Sequence, residues 1–294
     1  MTALLTGNWN YPTKIWSGAG RIADLAEACA VAGITHPLIV TDKGLENSSI
    51  IATVCAVLAK AGLAHAVYAE VQGNPVGKNV DDGTALYRSG GHDGVIAVGG
   101  GSGLDVGKAI AFMAGQTRPL WDFEDVGDWW TRADPNGIAP VIAVPTTSGT
   151  GSEVGRASVV VKEDTHEKKI IFHPKMLPVV VIADPELTVG LPAHVTAATG
   201  IDAMVHAIEA YLVPGFHPLC DGLALEGLAL ISKWLIVAVE EPHNLTARGG
   251  VLTGSCLAGI AFLKGLGLVH AISHMIGAEF NTQHGLTNAI LLPV

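Results

Sequence analysis

Asp202 and His206 stand four residues apart in GIDAMVHAIEAY (200–211), a stretch that is otherwise apolar and helix-forming. Residues four apart share one helix face, so the carboxylate and the imidazole can bond each other or grip a single ion. An isolated pair of this kind is more often a buried histidine with its carboxylate partner. A second cluster shifts that balance: GLGLVHAISHMIGAEFNTQHGLTNAILLP (265–293) carries His270, His274 and His284 among apolar and small residues. Buried imidazoles need partners, and a shared cation supplies one for several rings at once. Nitrogen and oxygen donors without cysteine suit a borderline divalent metal such as Fe2+, Zn2+ or Mn2+. Helix geometry pairs His270 with His274 and brings His284 in from a following turn, but spacing by itself does not choose among the three.

A different chemistry is written in VIAVGGGSGLDVGKAIA (95–111), which reads as strand, glycine turn and helix. Gly99, Gly100 and Gly101 let the backbone approach a phosphate, Ser102 can donate to it, and the helix start aims N–H groups at the anion. The run departs from the GxGxxG fingerprint, with Leu104 or Val106 where the last glycine would stand. A purely structural turn is the competing reading. PTTSGTGSEV (145–154) is a second hydroxyl-rich loop after a strand, whose Thr146 and Thr147 can meet sugar or phosphate oxygens or simply cap a turn. Asp42 ends PLIVTD (37–42). A carboxylate at such a strand end can accept from the ribose hydroxyls of an adenosine and repel a 2′-phosphate, or else serve as a helix N-cap.

Positioning these groups takes two kinds of scaffold. Apolar β-branched runs at 37–42, 65–71, 94–101, 140–147 and 178–185 alternate with helical patterns such as 45–61 and 105–114. Continuous apolar strands imply a mainly parallel sheet covered on both faces, with ligands at the carboxyl ends of its strands. SVVVKEDTHEKKIIF (158–172) reads as a hairpin with a charged tip. After DPELTVGLP (184–192) the β runs stop and Ala, Leu and Gly recur at helical spacing. The fold expected is an α/β domain over 1–187 that binds a nucleotide, followed by an all-α domain over 188–294 that binds a metal.

Composition narrows the partners. With 294 residues, 49% of them hydrophobic, the chain can build a substantial core. Seventeen basic against 27 acidic side chains offer no electrostatic footprint for nucleic acid or an anionic membrane surface. Cys29, Cys55, Cys220 and Cys256 form no CxxC pair, which suggests a reducing cytoplasm. The first residues do not read as an export signal, and the long apolar stretches, interrupted by Glu226 and Lys233, read as buried helices rather than membrane spans.

In order and approximate spacing, VTDKGL, VGGGSGLDVGKAIA, PTTSGTGSEV, DPELT, TGIDAMVHAIEAY, GLGLVHAISH and HGLTNAILLP resemble the iron-containing, or type III, alcohol dehydrogenases over nearly the whole chain. The resemblance implies a dehydroquinate synthase-like architecture, with NAD(P) and a divalent metal between an α/β and a helical domain. It makes Asp202, His206, His270 and His284 the metal ligands, with Fe2+ the expected ion and Zn2+ or Mn2+ the alternatives. His274 then stands near the reacting centre as a catalytic group. Gly99, Gly100, Gly101 and Ser102 hold the pyrophosphate, Asp42 meets the adenosine ribose and favours NAD over NADP, and Thr146, Thr147 and Lys168 line the cofactor. Lys169 is adjacent to Lys168, and Phe262 falls where some relatives have a pocket aromatic. Relatives continue for about a hundred residues past NAILLP, so the helical domain is expected to be incomplete. The activity implied is interconversion of a small primary alcohol and its aldehyde in a cytoplasmic homo-oligomer, a dimer. The rivals are a glycerol dehydrogenase, a maleylacetate reductase-like activity, or a catalytically silent nucleotide- or metal-binding protein.

Overall fold

The computed structural model describes residues 9–280 and 282–293. The chain forms two compact units, one of Thr13–Thr147 with Ser152–Thr188, the other of Val189–Val294 with Ser148–Gly151 and residues 9–12.

The first unit is built on six parallel strands: β1 (Lys14–Ser17), β2 (Pro37–Asp42), β3 (Ala66–Val71), β4 (Gly94–Gly99), β5 (Val141–Pro145) and β8 (Val180–Ala183), ordered β1-β8-β5-β4-β2-β3. Their unbroken apolar sequences match their position, since every residue of β4, β5 and β8 is buried. Helices α1 (Leu25–Ala32), α2 (Ser49–Lys60), α3 (Gly77–Gly90) and α4 (Gly101–Met113) accompany the sheet. Leu25, Val54 and Leu58 pack with Ile39, Ile96, Ile142 and Ile182 in one core. The hairpin, β6 (Ala157–Lys162) and β7 (Glu167–Phe172), is a separate antiparallel pair.

The parallel α/β architecture expected from the alternating pattern is what forms. Two elements differ in detail. Helix α4 begins at Gly101, four positions before the helical pattern first becomes legible at Asp105, because three glycines conceal the helix start. β1 has only four residues, too few for its alternation to register, and pairs along β8.

The second unit contains α5 (Ala193–Leu212), α6 (Pro218–Glu240), α7 (Leu245–Ala261), α8 (Leu268–Phe280) and α9 (His284–Leu291). Ala203, Ala207, Ile231, Leu235, Val251 and Ala258 form its core. α6 and α7 approach closely at paired glycines: a Cβ on Gly227 would lie 2.9 Å from the Gly254 carbonyl oxygen. Caps mark the helix starts, Asn244 accepting from Ala247 N–H and Gln283 from Leu286 N–H. By length and composition α6 and Leu245–Lys264 are each apolar enough to cross a bilayer despite Glu226 and Lys233; most of the second lies buried, as expected, but only 28% of the apolar window of α6 does, so α6 is not the buried helix its sequence suggested. The run Ser148–Gly151, inside the span 1–187 expected to be α/β, packs with these helices. The reason is steric and polar: a Cβ on Gly149 would lie 2.6 Å from Thr199 Cβ, and the Gly149 carbonyl oxygen accepts from His206.

Candidate active site

In the α/β unit the ends of β2, β4 and β5 adjoin, with Thr41 in register with Val98 and Gly99 with Pro145. The chain leaves β4 through Gly99 at φ +151°, passes Gly100 as N-cap, and enters α4 at once. A side chain at Gly99 would be strained in that backbone region and would run into Asp42 Oδ2. Asp42 accepts from Gly100 N–H at 3.3 Å. Burial pushes its carboxyl up to about 6, against the opposing pull of the Gly100 and Gly103 amides. Thr146 is buried and donates its N–H to the Gly99 carbonyl at 2.9 Å, while a Cβ on Gly100 would lie 3.2 Å from Thr147 Cγ2. Ser102, half-buried, is in the first turn of α4. Asp42, Gly99, Gly100, Gly101, Ser102, Thr146 and Thr147 thus share one edge of the sheet, where helix-start amides favour an anion.

Lys168 and Lys169 point their charges to different uses. Lys169 Nζ lies 2.8 Å from Glu167 and 3.6 Å from Glu124. Lys168 has no ion pair among the described residues, and burial pulls its ammonium below the usual lysine range. Of the two lysines, Lys168 is therefore the one without a carboxylate partner among the described residues.

The helical unit gathers the second constellation. Asp202 and His206 lie one turn apart on α5, His270 is in the first turn of α8, and His284 opens α9. Asp202 Oδ1 is 3.5 Å from His270 Nε2, 3.5 Å from His284 Nε2 and 3.9 Å from His206 Nε2. Ligand atoms of Asp202, His206 and His270 all lie within 4.8 Å of one another. The His206 and His270 rings stack at 4.4 Å between centroids.

The opposite nitrogens are engaged elsewhere. His206 Nδ1 meets the Gly149 carbonyl at 3.2 Å, His270 Nδ1 meets Glu209 Oε2 at 2.6 Å, and His284 Nδ1 meets Ser273 Oγ at 3.5 Å. An Nδ1–H that donates leaves Nε2 as an acceptor, so the rings turn lone pairs toward one carboxylate oxygen. Three nitrogens and an oxygen converging in this way fit a divalent cation. His274, half-buried, stands 5.8 Å from the His270 ring and 5.0 Å from the His284 ring. Helix spacing alone paired His270 with His274, but His284 is the ring whose Nε2 lies beside Asp202 together with that of His270.

The electrostatics match this arrangement. Burial alone would raise the Asp202 carboxyl, but the facing imidazoles overcome it and hold it below the usual carboxylate range. Burial pulls His206 and His284 down to about 4. Burial also acts to lower His270, yet Asp202 and Glu209 on its two sides raise it. At neutral pH the set therefore contains a carboxylate and at least two neutral rings, the protonation states that a cation requires.

Three participants lay outside the reading from spacing: Ser273 at His284, Gly149 at His206, and Asn288, whose amide nitrogen lies 2.7 Å from Asp202 Oδ1; Glu209 shares the helix line of Asp202 and His206, but its bond to His270 was not legible there. Asn288 follows His284 by one helical turn, and Glu209 lies seven positions after Asp202 on the same face of α5. Those offsets were the available signal. Phe262 packs against the small core cluster of Ala210, Cys220, Ala224 and Ala261, its ordinary structural role, and its ring also lies 5.0 Å from that of His206.

A parallel sheet with a glycine turn opening a helix, and a helical unit holding a carboxylate among three imidazoles, define a metal-dependent, nucleotide-linked oxidoreductase. The family model described as iron-containing alcohol dehydrogenase matches residues 12–185, and that of the C-terminal part of the same family matches residues 196–294. The chain is 40% identical over 289 residues to 4-hydroxybutyrate dehydrogenase of Cupriavidus necator, covering 96% of this chain and 74% of that protein. It is 38% identical to 1,3-propanediol dehydrogenase of Klebsiella pneumoniae, covering 96% and 72%. Among solved structures, a 1,3-propanediol oxidoreductase superposes with a TM-score of 0.92 at 38% identity, covering 98% of this chain and 75% of the other. A sulfoacetaldehyde reductase from Bifidobacterium kashiwanohense, in complex with NAD+, superposes at 0.89 with 32% identity, covering 98% and 76%. The chain belongs to the iron-containing alcohol dehydrogenase family. Its class of chemistry is NAD-linked interconversion of alcohols and aldehydes.

Proposed function

We propose that this protein interconverts a small primary alcohol and its aldehyde, with Asp202, His206, His270 and His284 holding an Fe2+ ion and the glycine turn holding NAD. The observation that carries the reading is the convergence of three imidazole Nε2 atoms on Asp202 Oδ1. When bound, the cation supplies Lewis acidity at an alcohol oxygen and the nicotinamide a hydride acceptor, so that alcohol and NAD+ give aldehyde, NADH and a proton. The chain's own residues position and screen. Gly149, Glu209 and Ser273 fix the imidazole rings from behind, and Phe262 packs at a tilt beside His206. Gly99, Gly100, Gly101 and Ser102 offer amides and a hydroxyl to the pyrophosphate, Asp42 accepts from the ribose, Thr146 and Thr147 border the same edge, and Lys168 contributes the positive charge.

His274 takes the released proton toward water. This role is abandoned should His274→Asn leave both turnover and its pH profile unchanged. The substrates we favour are unbranched alcohols of two to four carbons, including ω-hydroxy acids and diols, because the relatives named for 4-hydroxybutyrate and 1,3-propanediol share 40% and 38% of the aligned residues. A cytoplasmic homodimer completes the reading, and the lack of a disulfide among the described cysteines is in keeping with a reducing compartment.

The test is anaerobic purification, elemental analysis and a panel of ethanol, 1,3-propanediol, 4-hydroxybutyrate and butanol with NAD+. One metal per chain and NADH formation are expected, both lost in Asp202→Asn. Metal without turnover on any alcohol would leave a silent metal-binding protein instead.

A further inference from the structure

Asp202, His206 and Glu209 follow one another at intervals of four and three residues, a single stripe along α5. The first two face the imidazole cluster, while the third is spent on the start of α8. Glu209 is buried, 6% exposed. Its Oε1 accepts from Val269 N–H at 2.6 Å, and its Oε2 from His270 N–H at 3.4 Å and from the His270 ring at Nδ1, 2.6 Å away. Gly267 makes room for this approach: a Cβ there would come within 2.7 Å of Oε1. One carboxylate thus caps the first turn of α8 and grips the side chain that this turn carries.

The chemical consequence lies in the tautomer. An ionised carboxylate only accepts, so the hydrogen at this contact sits on His270 Nδ1. The ring's remaining lone pair is then on Nε2, the atom 3.5 Å from Asp202 Oδ1. His206 has a neutral carbonyl behind it and His284 a hydroxyl at longer range. Among the described contacts His270 is the ring backed by a negative charge, which makes its Nε2 the strongest electron donor of the three.

The geometry points to Glu209 as a positioning residue of the cation site: its carboxylate fixes His270 in the Nδ1–H tautomer and locks the ring on α8 with Nε2 turned into the ligand set. This rests on the reading of Asp202, His206, His270 and His284 as ligands. It adds a fifth side chain without which the four bind weakly, and it makes the docking of the α8 start part of metal affinity.

The test is Zn2+ affinity of the purified metal-free protein, by competition with a chelator, for the wild type, Glu209→Gln, Glu209→Leu and His270→Ala. Long-range 15N–1H correlation spectra report the His270 tautomer before metal is added. At a pH above the His270 titration, where the ring is neutral, we expect a single Nδ1–H form in the wild type. Glu209→Gln, which can donate as well as accept, should mix the tautomers and weaken Zn2+ binding about tenfold, and Glu209→Leu about a hundredfold, with unchanged far-ultraviolet dichroism. A purely structural cap would leave the tautomer and the affinity of a folded Glu209→Gln protein as they were. Glu209→Gln binding within twofold of wild type overturns the inference, even if Glu209→Leu fails to fold. His270→Ala binding as tightly as wild type would remove the ligand assignment beneath it, a separate failure.

Discussion

Asn288 donates its side-chain amide to Asp202 Oδ1 at 2.7 Å, joining the second turn of α9 to the middle of α5. The same nitrogen lies 3.3 Å from His270 Nε2 and 3.3 Å from His284 Nε2, so one amide serves the acceptors that a cation would also claim. Asn288→Leu leaves a fully buried carboxylate short of its donor. Metal-free protein should lose about 1–3 kcal/mol of stability, the cost of an unsatisfied buried partner. Saturating Zn2+ should shrink that loss, because the ion takes over the carboxylate. Urea unfolding with chelator and with Zn2+ checks this, and an equal loss in both conditions would separate the amide from the ion-binding oxygen.

Asp42 gives a pH dependence of defined sign. Burial pushes its folded carboxyl up to about 6, from an ordinary aspartate value of 3.8. Between those limits the folded chain holds a proton that the unfolded chain releases. Stability from this group is therefore present at low pH and is lost as pH rises through the window. Asp42→Asn, which keeps an acceptor and carries no charge, should be more stable than wild type at pH 7 by about 1–3 kcal/mol. The difference should close by pH 4. Denaturant midpoints at the two pH values measure it, and a constant difference would mean that the carboxylate is better solvated than its position implies.

The local part of this molecule was legible in the sequence. Runs such as PLIVTD and GVIAVGG carry their own strand signal, and Asp202 with His206 are neighbours by helix geometry wherever that helix goes. What spacing cannot supply is which elements meet. His270 and His274 are as close in helical spacing as Asp202 and His206, yet His284, across the turn between α8 and α9, is the ring with Nε2 beside Asp202. Glu209 was visible on the right face of α5 but its partner on α8 was not, and Asn288 was invisible for the same reason. Of Lys168 and Lys169, only the ion pairs that occupy Lys169 distinguish the two.

Lys108 and Asp105 test how the glycine turn is supported. Lys108 is 1% exposed, its Nζ 3.2 Å from Asp105 Oδ1, and it also donates to the Ala157 carbonyl. Asp105 is bonded further by Ser152 Oγ and, at 3.0 Å, by Val159 N–H, so the pair fastens α4 to the loop before β6 and to β6 itself. Lys108→Met removes the cation and leaves the half-buried Asp105 carboxylate without its ion-pair partner. A loss of about 3–5 kcal/mol is expected. Adding Asp105→Asn should restore part of it, since the unpaired charge then disappears. Thermal denaturation of the two single variants and the double variant measures the coupling, and strictly additive losses would show that the two groups do not act as a pair.

Gly99 combines two constraints that can be pulled apart. Its φ of +151° disfavours any L side chain, and a Cβ there would collide with Asp42 Oδ2. Gly99→Ala should destabilise the protein by about 1–3 kcal/mol, the range for a strained backbone position. It should also weaken NAD+ binding about tenfold by moving the amides of the turn. Asp42→Ala removes the collision and leaves the backbone strain in place. The double variant should therefore lose less stability than the two single losses combined, by about 0.5 kcal/mol or more, the signature of groups in contact. Full additivity in a denaturant-based double-mutant cycle would mean that φ alone excludes the methyl group. NAD+ affinity need not follow stability, because Asp42→Ala also removes a group proposed to bind ribose. Fluorescence titration of the four proteins separates the two effects: recovery of stability without recovery of affinity assigns the collision to folding and the carboxylate to the cofactor.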